Sequence, residues 1–270
     1  MVFLKPLLNF LRRIIQNRYM IRSLVVRDIR ARYVGSSLGI FWSVVHPLSQ
    51  LLIYYFVFSL ILKVKLGPEY GGTHFAIWLI VGLLPWMLFS EVVLRAPGAV
   101  LEQANLIKKT IFPSEVLPFS HLAAAMVNHF IALGILLIFI GAFDVGLSLR
   151  AILVIPYLVA IGILAMGISW ILSAFNVFLR DIGQVIGLFI NVWFYFTPII
   201  YPRDLIPEKF QDLLWLNPMS HAVEGYRMAL LGQTTPEPWS LIYLFSIGLC
   251  LFGVGGLVFK QLKPAFADVL

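Results

Sequence analysis

Six stretches of the chain are apolar over about the 20 residues that a helix needs to span a bilayer core. They fall at about 38–62, 75–94, 117–140, 151–178, 182–200 and 240–259. The polar residues inside them keep to helical faces. In the first segment Trp42, His46, Ser49, Gln50 and Tyr54 recur at three- and four-residue steps, and in the fifth Gln184, Gly187, Asn191 and Phe194/Tyr195 do the same. Polar groups in lipid need internal partners, so both stripes are expected to face protein or a wet path. Periodicity alone leaves helix-to-helix contact and conduit lining both open. In the fourth segment Ala165, Ser169 and Ser173 form a seam of small residues suited to close helix packing.

The connections carry amphipathic pieces. Residues 3–15 (FLKPLLNFLRRII) place Phe3, Leu4, Leu7, Leu8, Leu11, Ile14 and Ile15 on one face and Lys5, Asn9, Arg12 and Arg13 on the other. With no uninterrupted apolar core and no small-residue cleavage site, this reads as a basic helix lying in the membrane interface rather than a cleavable signal. Residues 95–116 form one long loop and 201–239 another. In the latter, EKFQDLLWL (208–216) puts Phe210, Leu213 and Leu214 on one face, widened by Trp215 and Leu216. Asn217-Pro218 suits an N-cap followed by proline at the first helical position, and Gly232 suits the stop. Short helices here would dip back into the interface or pack on the spans.

Composition agrees: the chain is 60% hydrophobic and 12% charged, about half the charge of an ordinary soluble domain. The charge of +7 is unevenly placed, with Lys5, Arg12, Arg13, Arg18, Arg22, Arg27, Arg30 and Arg32 all preceding the first span. Such a cluster indicates lipid headgroups and topology rather than nucleic acid, with Arg12, Arg13, Arg27, Arg30 and Arg32 as candidate interface residues. With both termini cytoplasmic, fourteen Lys+Arg lie inside and six outside, the bias expected of an N-in, C-in protein. The reading is an all-α integral membrane protein of six transmembrane helices. Residues 1–33 are a cytoplasmic amphipathic interfacial segment, residues 34–270 the six-span domain, and the outer loop carries short re-entrant helices.

Enzyme chemistry is missing from the sequence. There is no HExxH, no nucleophile elbow and no GxxxxGK[ST] phosphate loop, and the five histidines (46, 74, 121, 129, 221) lack metal-ligand spacing. Cys250 is alone, so no disulfide forms within the chain. Glu91 and Arg95, four residues apart at the inner end of the second span, read as a local ion pair rather than a proton relay.

Three motifs go further. RDIRARYVGSSLGIFWSVVHPL (27–48) resembles the approach to the first span of the polysaccharide-export permeases of ATP-binding-cassette transporters, a type 2 permease family. ANLIKKTIFPSEVLP (104–118) is similar to that family's cytoplasmic loop after the second span. NVFLRDI (176–182) with FYFTPIIYP (194–202) and LNPMSHAVEGYR (216–227) is similar to its fifth span and outer loop. The matches run in order from about residue 27 to 232.

The resemblance implies a multi-pass subunit of a bacterial cytoplasmic (inner) membrane, paired with itself as a homodimer and with two copies of a nucleotide-binding ATPase subunit. ATP and magnesium would sit on that partner and no cofactor on this chain. The substrate would be a lipid-linked polysaccharide of O-antigen or capsular type; a teichoic acid or other polyol phosphate fits the same motifs. Six helices are too few to enclose a polymer-wide channel, which favours a two-fold dimer. Family membership also implies that the first and fifth spans line the conduit and that the loop after the second span docks on the ATPase. Carried over by motif, docking falls to Asn105, Leu106, Ile107, Lys108, Lys109, Phe112 and Pro113. The conduit candidates are Phe41, Trp42, Tyr54 and Tyr55 on the first span, and Gln184, Asn191, Phe194 and Tyr195 on the fifth, because aromatic rings offer apolar contact to the C–H face of a sugar. Trp193 and Phe196, on other faces, are expected to meet lipid. From another class, a membrane-embedded glycosyl- or acyltransferase would need an acid/base constellation at a span end, and none is visible.

Overall fold

The computed structural model describes residues 12–32, 34–64, 66–67, 74–109, 112–142, 149–203, 206–232 and 236–270. The amphipathic run at 3–15 therefore lies mostly outside the described residues; its last part, residues 12–16, is helical. Helix α1 (Arg18–Ala31) follows, then α2 (Trp42–Tyr54), α3 (Phe75–Arg95), two short helices α4 (Gly98–Leu101) and α5 (Ala104–Lys109), and α6 (Leu117–Ala142). The second half contains α7 (Val154–Phe178), α8 (Ile182–Tyr195), α9 (Glu208–Leu216), α10 (Pro218–Leu231), α11 (Pro238–Leu262) and the terminal turn α12 (Phe266–Val269). No strand occurs among the described residues.

Among the described residues five helical stretches are long and apolar enough to cross a membrane: Trp42–Ile61, Phe75–Arg95, Ser114–Ala142, Leu149–Phe178 and Pro238–Val269. The fifth apolar segment, expected at 182–200, stops as a helix at Tyr195. At 14 residues it is about 21 Å long, short of a bilayer core of about 30 Å. The reason lies in its last residues. Pro198 disfavours helical backbone at the residue before it, and Thr197 Oγ1 folds back to donate to the Trp193 carbonyl at 2.9 Å. Thr197, Pro198 and Ile199 are buried, and irregular backbone at this depth is tolerated only where protein partners satisfy it.

The first segment also departs from a plain helix. Beyond Tyr54 it continues as a π-helix over Tyr55–Ile61, closing with Leu62 N–H on the Val57 carbonyl at 2.8 Å. Wide turns of this kind re-aim a helix face and are frequent at functional sites.

α3 occupies the centre, with α6, α7, α8 and α10 packed on it. α7 and α11 lie along each other most extensively. The seam expected at Ala165, Ser169 and Ser173 is indeed buried, but the closest backbone approach is made by Gly167. Two residues from both Ala165 and Ser169, it sits on another side of the helix. A Cβ on Gly167 would collide with the Leu251–Phe252 backbone, and one on Gly255 with the Gly167 carbonyl. In the outer loop, Asn217 caps α10 by accepting from Met219 N–H at 3.0 Å, with Pro218 at the first position, and Gly232 ends the helix at φ 71°. On α9 only Leu214 turns inward; Phe210, Leu213, Trp215 and Leu216 remain exposed.

Candidate translocation surface and its two anchored ends

Two helices leave large faces uncovered. The Trp42–Ile61 stretch has 6% of its most apolar window buried, against 72% for Phe75–Arg95. α8 exposes Val185, Leu188, Phe189, Val192, Tyr195 and Phe196 while burying Ile186 and Ile190 against the core. Both helices pack on α3, with α2 also on α6 and α8 also on α7.

The conduit candidates divide between inside and outside. Phe41, Trp42, Gln184, Asn191 and Tyr195 are exposed, and Tyr195 reaches 64%. Trp42 is held by its Nε1–H donating to Ser36 Oγ at 2.7 Å. Tyr54 is half-buried, its ring 6.1 Å from Phe58 and its hydroxyl accepting from Gln50 Nε2 at 3.2 Å. Tyr55 stands edge-on to Phe139 at 5.8 Å. Phe194 is half-buried against Trp86 at 5.7 Å. The helical wheel groups Phe194 with Tyr195, and their rings do meet edge-on at 5.3 Å, Phe194 lying between Trp86 and the more exposed Tyr195.

Trp193, expected to meet lipid, faces protein instead. Its ring stands edge-on to Phe89 at 5.1 Å, and its Nε1–H donates to Asn217 Oδ1 at 2.8 Å. A single indole thereby joins α8 to α3 and to the cap of α10. Phe196 is exposed, as expected.

The end that carries α1, expected on the cytoplasmic side, is tied by charge. Glu91 and Arg95 do not pair with each other; each reaches α1. Arg95 holds the Asp28 carboxylate with both guanidinium nitrogens, one of them at 2.8 Å. Arg32 donates to Asp28 at 3.2 Å and forms an ion pair with Glu91 at 2.5 Å. Burial of Asp28 pushes its pKa up, but the Arg95 bonds and the charges of Arg95 and Arg32 outweigh this and hold it below the ordinary aspartate value. A second knot gathers Arg13 and Lys263 on Glu115, Lys263 at 2.5 Å. Of the five expected interface arginines, Arg32 and Arg13 are thus engaged by carboxylates of the chain itself, while Arg12, Arg27 and Arg30 remain exposed.

Between these knots lies the loop expected to dock a partner. Asn105, Leu106, Lys108 and Lys109 on α5 are exposed. Ile107 and Phe112 turn inward and pack against the cluster of Leu24, Ala99 and Leu117, which joins α1, α4 and α6. Pro113 is half-buried, and α12 packs on α5. Beside the loop, His121 stands 3.7 Å from Glu102. That contact is the main cause holding the Glu102 pKa below the usual carboxylate value.

The opposite end, expected to face outward, is anchored by two residues whose role the pattern of hydrophobicity did not reveal. Asn217, beyond capping α10 and accepting from Trp193, donates to Thr197 Oγ1 at 2.9 Å and to the Phe196 carbonyl at 3.1 Å. Arg227 is 3% exposed. It donates to the Pro198 and Ile199 carbonyls at 2.7 and 2.8 Å and lies over the Trp78 ring, 3.4 Å from its centroid. These two side chains satisfy the backbone that the short α8 leaves open. A clue was available in the sequence: an arginine at the tenth position of a mostly uncharged helix is costly there unless it has a dedicated partner. Among the described residues no group of three His, Cys, Asp or Glu side chains is placed to share a metal ion.

A covered central helix, two flanking helices with exposed faces and a loop clamped by ion pairs are built into a helical protein with several helices able to cross a membrane. The chain belongs to the ABC-2 type transporter family, whose model matches residues 19–231. It is 35% identical to an O-antigen export system permease protein of Klebsiella pneumoniae, covering 90% of this chain and 92% of that one. It is 28% identical to the O-antigen export system permease protein of Myxococcus xanthus over 97% and 99% of the two chains. It is 25% identical to a polysialic acid transport protein of Escherichia coli over 91% and 94%.

Proposed function

We propose that this chain is the permease half of an ATP-driven exporter that moves a lipid-linked polysaccharide, of O-antigen or capsular type, across a bacterial cytoplasmic membrane. Relatives similar over nearly their whole length carry the names of O-antigen and polysialic acid export proteins, which supports that substrate class. Two copies pair so that six spans from each, both termini cytoplasmic, enclose the path. The shorter α8 counts as the fifth span, completed by the buried Thr197–Ile199 turn, and α9 and α10 lie re-entrant at the outer face. The observation that carries this reading is the pair of uncovered faces on α2 and α8, each holding polar residues or rings that lipid serves poorly.

In this reading Phe41, Trp42 and Tyr195 offer rings to passing sugars, and Gln184 and Asn191 offer amide bonds. Individually weak and tolerant contacts suit a polymer that slides. The partner ATPase subunits, two per dimer and carrying the ATP and magnesium, seat on the exposed side of α5 at Asn105, Leu106, Lys108 and Lys109. The inward residues Ile107 and Phe112 pass their movement to α1 and α6, and the Asp28–Arg95 and Arg32–Glu91 bonds pass it to α3.

The decisive experiment is reconstitution of export in cells lacking the native permease and its ATPase. Surface polymer that appears only when this chain and a nucleotide-binding subunit are expressed together supports the proposal. Turnover of a glycosyl donor by the purified chain alone would replace it with a membrane-embedded transferase.

A further inference from the structure

At the outer end a cavity of about 100 Å³ opens between α9, α10 and the first turn of α11. Its lining carries both signs of charge: Arg203, Glu224 and Glu237. These charges are held apart. Among the described residues Arg203 and Glu237 make no ion pair, and Glu224 reaches only Arg227, at 3.6 Å. The Arg203 guanidinium instead lies over the Trp215 ring, 5.1 Å from its centroid.

The neighbouring polar groups sharpen the chemistry. His221 Nε2 faces the Trp215 carbonyl at 2.9 Å; a carbonyl can only accept, so Nε2 carries the hydrogen. Nδ1 then accepts from the Ser240 hydroxyl at 3.0 Å. Burial lowers the His221 pKa, which keeps the ring neutral. The imidazole therefore adds no charge and is fully used. Ser220, also lining the cavity, differs: it is buried, 8% exposed, and its Oγ has no partner. An unpaired cation, an unpaired carboxylate and an idle buried hydroxyl around one opening fit a ligand that itself brings both charges.

The surroundings say what kind of molecule carries it. Leu213 and Leu216 on α9, and Trp239 and Ile242 on α11, are exposed apolar residues of the two helices that bound the cavity, close in sequence to its lining residues Leu214, Trp215, Glu237 and Ser240. Tryptophan beside aliphatic surface at a span end marks the membrane–water interface. A headgroup on acyl chains suits that setting better than a soluble zwitterion or a sugar.

We propose that this cavity binds the headgroup of a zwitterionic, primary-amine phospholipid of the phosphatidylethanolamine type. Arg203 and the Ser220 hydroxyl take the phosphate oxygens, and Glu237, with Glu224, accepts hydrogen bonds from the ammonium. Choline lipids, whose trimethylammonium has no N–H, lose those bonds. The assignment is independent of what the protein exports.

The test uses the purified full chain in nanodiscs of ethanolamine, choline and glycerol phospholipids in equal parts with identical acyl chains, and counts by native mass spectrometry the lipid retained after extraction. Ethanolamine lipid is expected to be enriched over choline lipid about fivefold, the scale of one charge-assisted hydrogen bond. The double variant Arg203→Gln/Glu237→Gln should return retention to the bulk ratio, while Glu237→Gln alone should shift it toward the anionic glycerol lipid. Thermal unfolding in the same discs establishes that each variant is folded, and wild-type selectivity is itself informative without any variant. Equal retention of the three lipids, or enrichment that survives the double variant, overturns the proposal. Displacement of the bound lipid by a soluble oligosaccharide overturns it too, by making the cavity a sugar subsite.

Discussion

α2 with its π-helical continuation and α3 are consecutive helices of nearly equal length and hydropathy, 20 residues at 1.7 and 21 residues at 2.1. One is almost entirely uncovered and the other almost entirely enclosed. In water such a difference would follow from hydrophobicity, but lipid tails are as apolar as a protein core, so apolar content cannot sort the two. Shape and ring contacts do. α3 brings Phe75, Trp78, Trp86 and Phe89 into the centre, and α8 adds Trp193 and Phe194 to that stack. α2 and the turn before it offer Phe41, Trp42 and a polar stripe, and Phe41 and Trp42 remain exposed among the described residues. The enclosed helix holds the subunit together; under the proposed function, the uncovered one is where a second copy or a passing polymer would have room.

The comparison breaks most directly at two phenylalanines. Phe89 on α3 is 0% exposed and Phe56 on the π-helical part of the first span is 55% exposed. Phe89→Ala should cost roughly 2–3 kcal/mol, the packing and cavity part of a core truncation, since transfer into lipid contributes little. Phe56→Ala should stay within about 0.5 kcal/mol. Denaturant unfolding of the single subunit in detergent measures both. If Phe56→Ala costs nothing in the monomer but weakens the dimer, a second copy covers it. An equal cost in the monomer would show that α2 is packed within the subunit and would end the distinction.

The same contrast recurs inside α8, between adjacent rings. Trp193→Ala removes the contact with Phe89 and the bond to Asn217, and should destabilise by about 2 kcal/mol because Asn217 loses a buried partner. Tyr195→Ala should leave stability unchanged and lower the amount of polymer at the cell surface. Phe194→Ala, half-buried on Trp86, should show some of both. Reduced export from Trp193→Ala at full stability, or unfolding by Tyr195→Ala, would reverse the assignment of these rings.

At the α1 end the comparison extends to a helix that is held by charge rather than by rings. Asp28→Asn should cost about 1–2 kcal/mol, a charge-assisted pair discounted for partial exposure. Its pH dependence has a definite sign. The Asp28 pKa lies below the ordinary 3.8 in the folded chain, so its stabilisation is fully present above that value and is lost as pH falls through the lower, folded pKa. Melting temperatures of wild type and Asp28→Asn should therefore differ at pH 7 and converge below about pH 4. A gap that stays constant down to pH 3 would mean that the Asp28 charge is not what holds α1 on α3.

Much of this architecture was legible from periodicity. The helices at 75–95, 117–142, 154–178 and 238–262 lie where long apolar runs place them, because an unbroken apolar stretch has no other way to satisfy its backbone in lipid. The Asn217-Pro218 start and Gly232 stop of α10 were equally readable, since capping is local chemistry. The early end of α8 was not. It depends on Asn217 and Arg227, 20 to 30 positions further on, supplying bonds to carbonyls that a continuing helix would have satisfied. The partners of Glu91 and Arg95 were missed for the same reason. Spacing of four residues pairs them on paper, whereas α1 brings a carboxylate and a guanidinium that compete successfully for both. At Phe194 the wheel gives only the direction of Cβ, and the half-buried ring touches both Trp86 on α3 and Tyr195.

The smallest expected effect on stability is at α5, where the difference between covered and uncovered runs through a single turn. Lys108 and Lys109 are exposed while Ile107 packs against Leu24, Ala99 and Leu117. Lys108→Ala/Lys109→Ala should change unfolding by no more than about 0.5 kcal/mol, because exposed lysines without a partner hold nothing in place. The pair should nonetheless reduce co-purification of the nucleotide-binding subunit, most clearly at low salt, because an electrostatic contact is already screened within about 10 Å at 0.1 M ionic strength. Ile107→Ala should do the opposite, loosening α5 from α1 and α4 while leaving the outward charge intact. If the lysine pair left co-purification unchanged and Ile107→Ala abolished it, the partner would be reading the position of the helix rather than its charge. The exposed face of α5 would then be a passive surface.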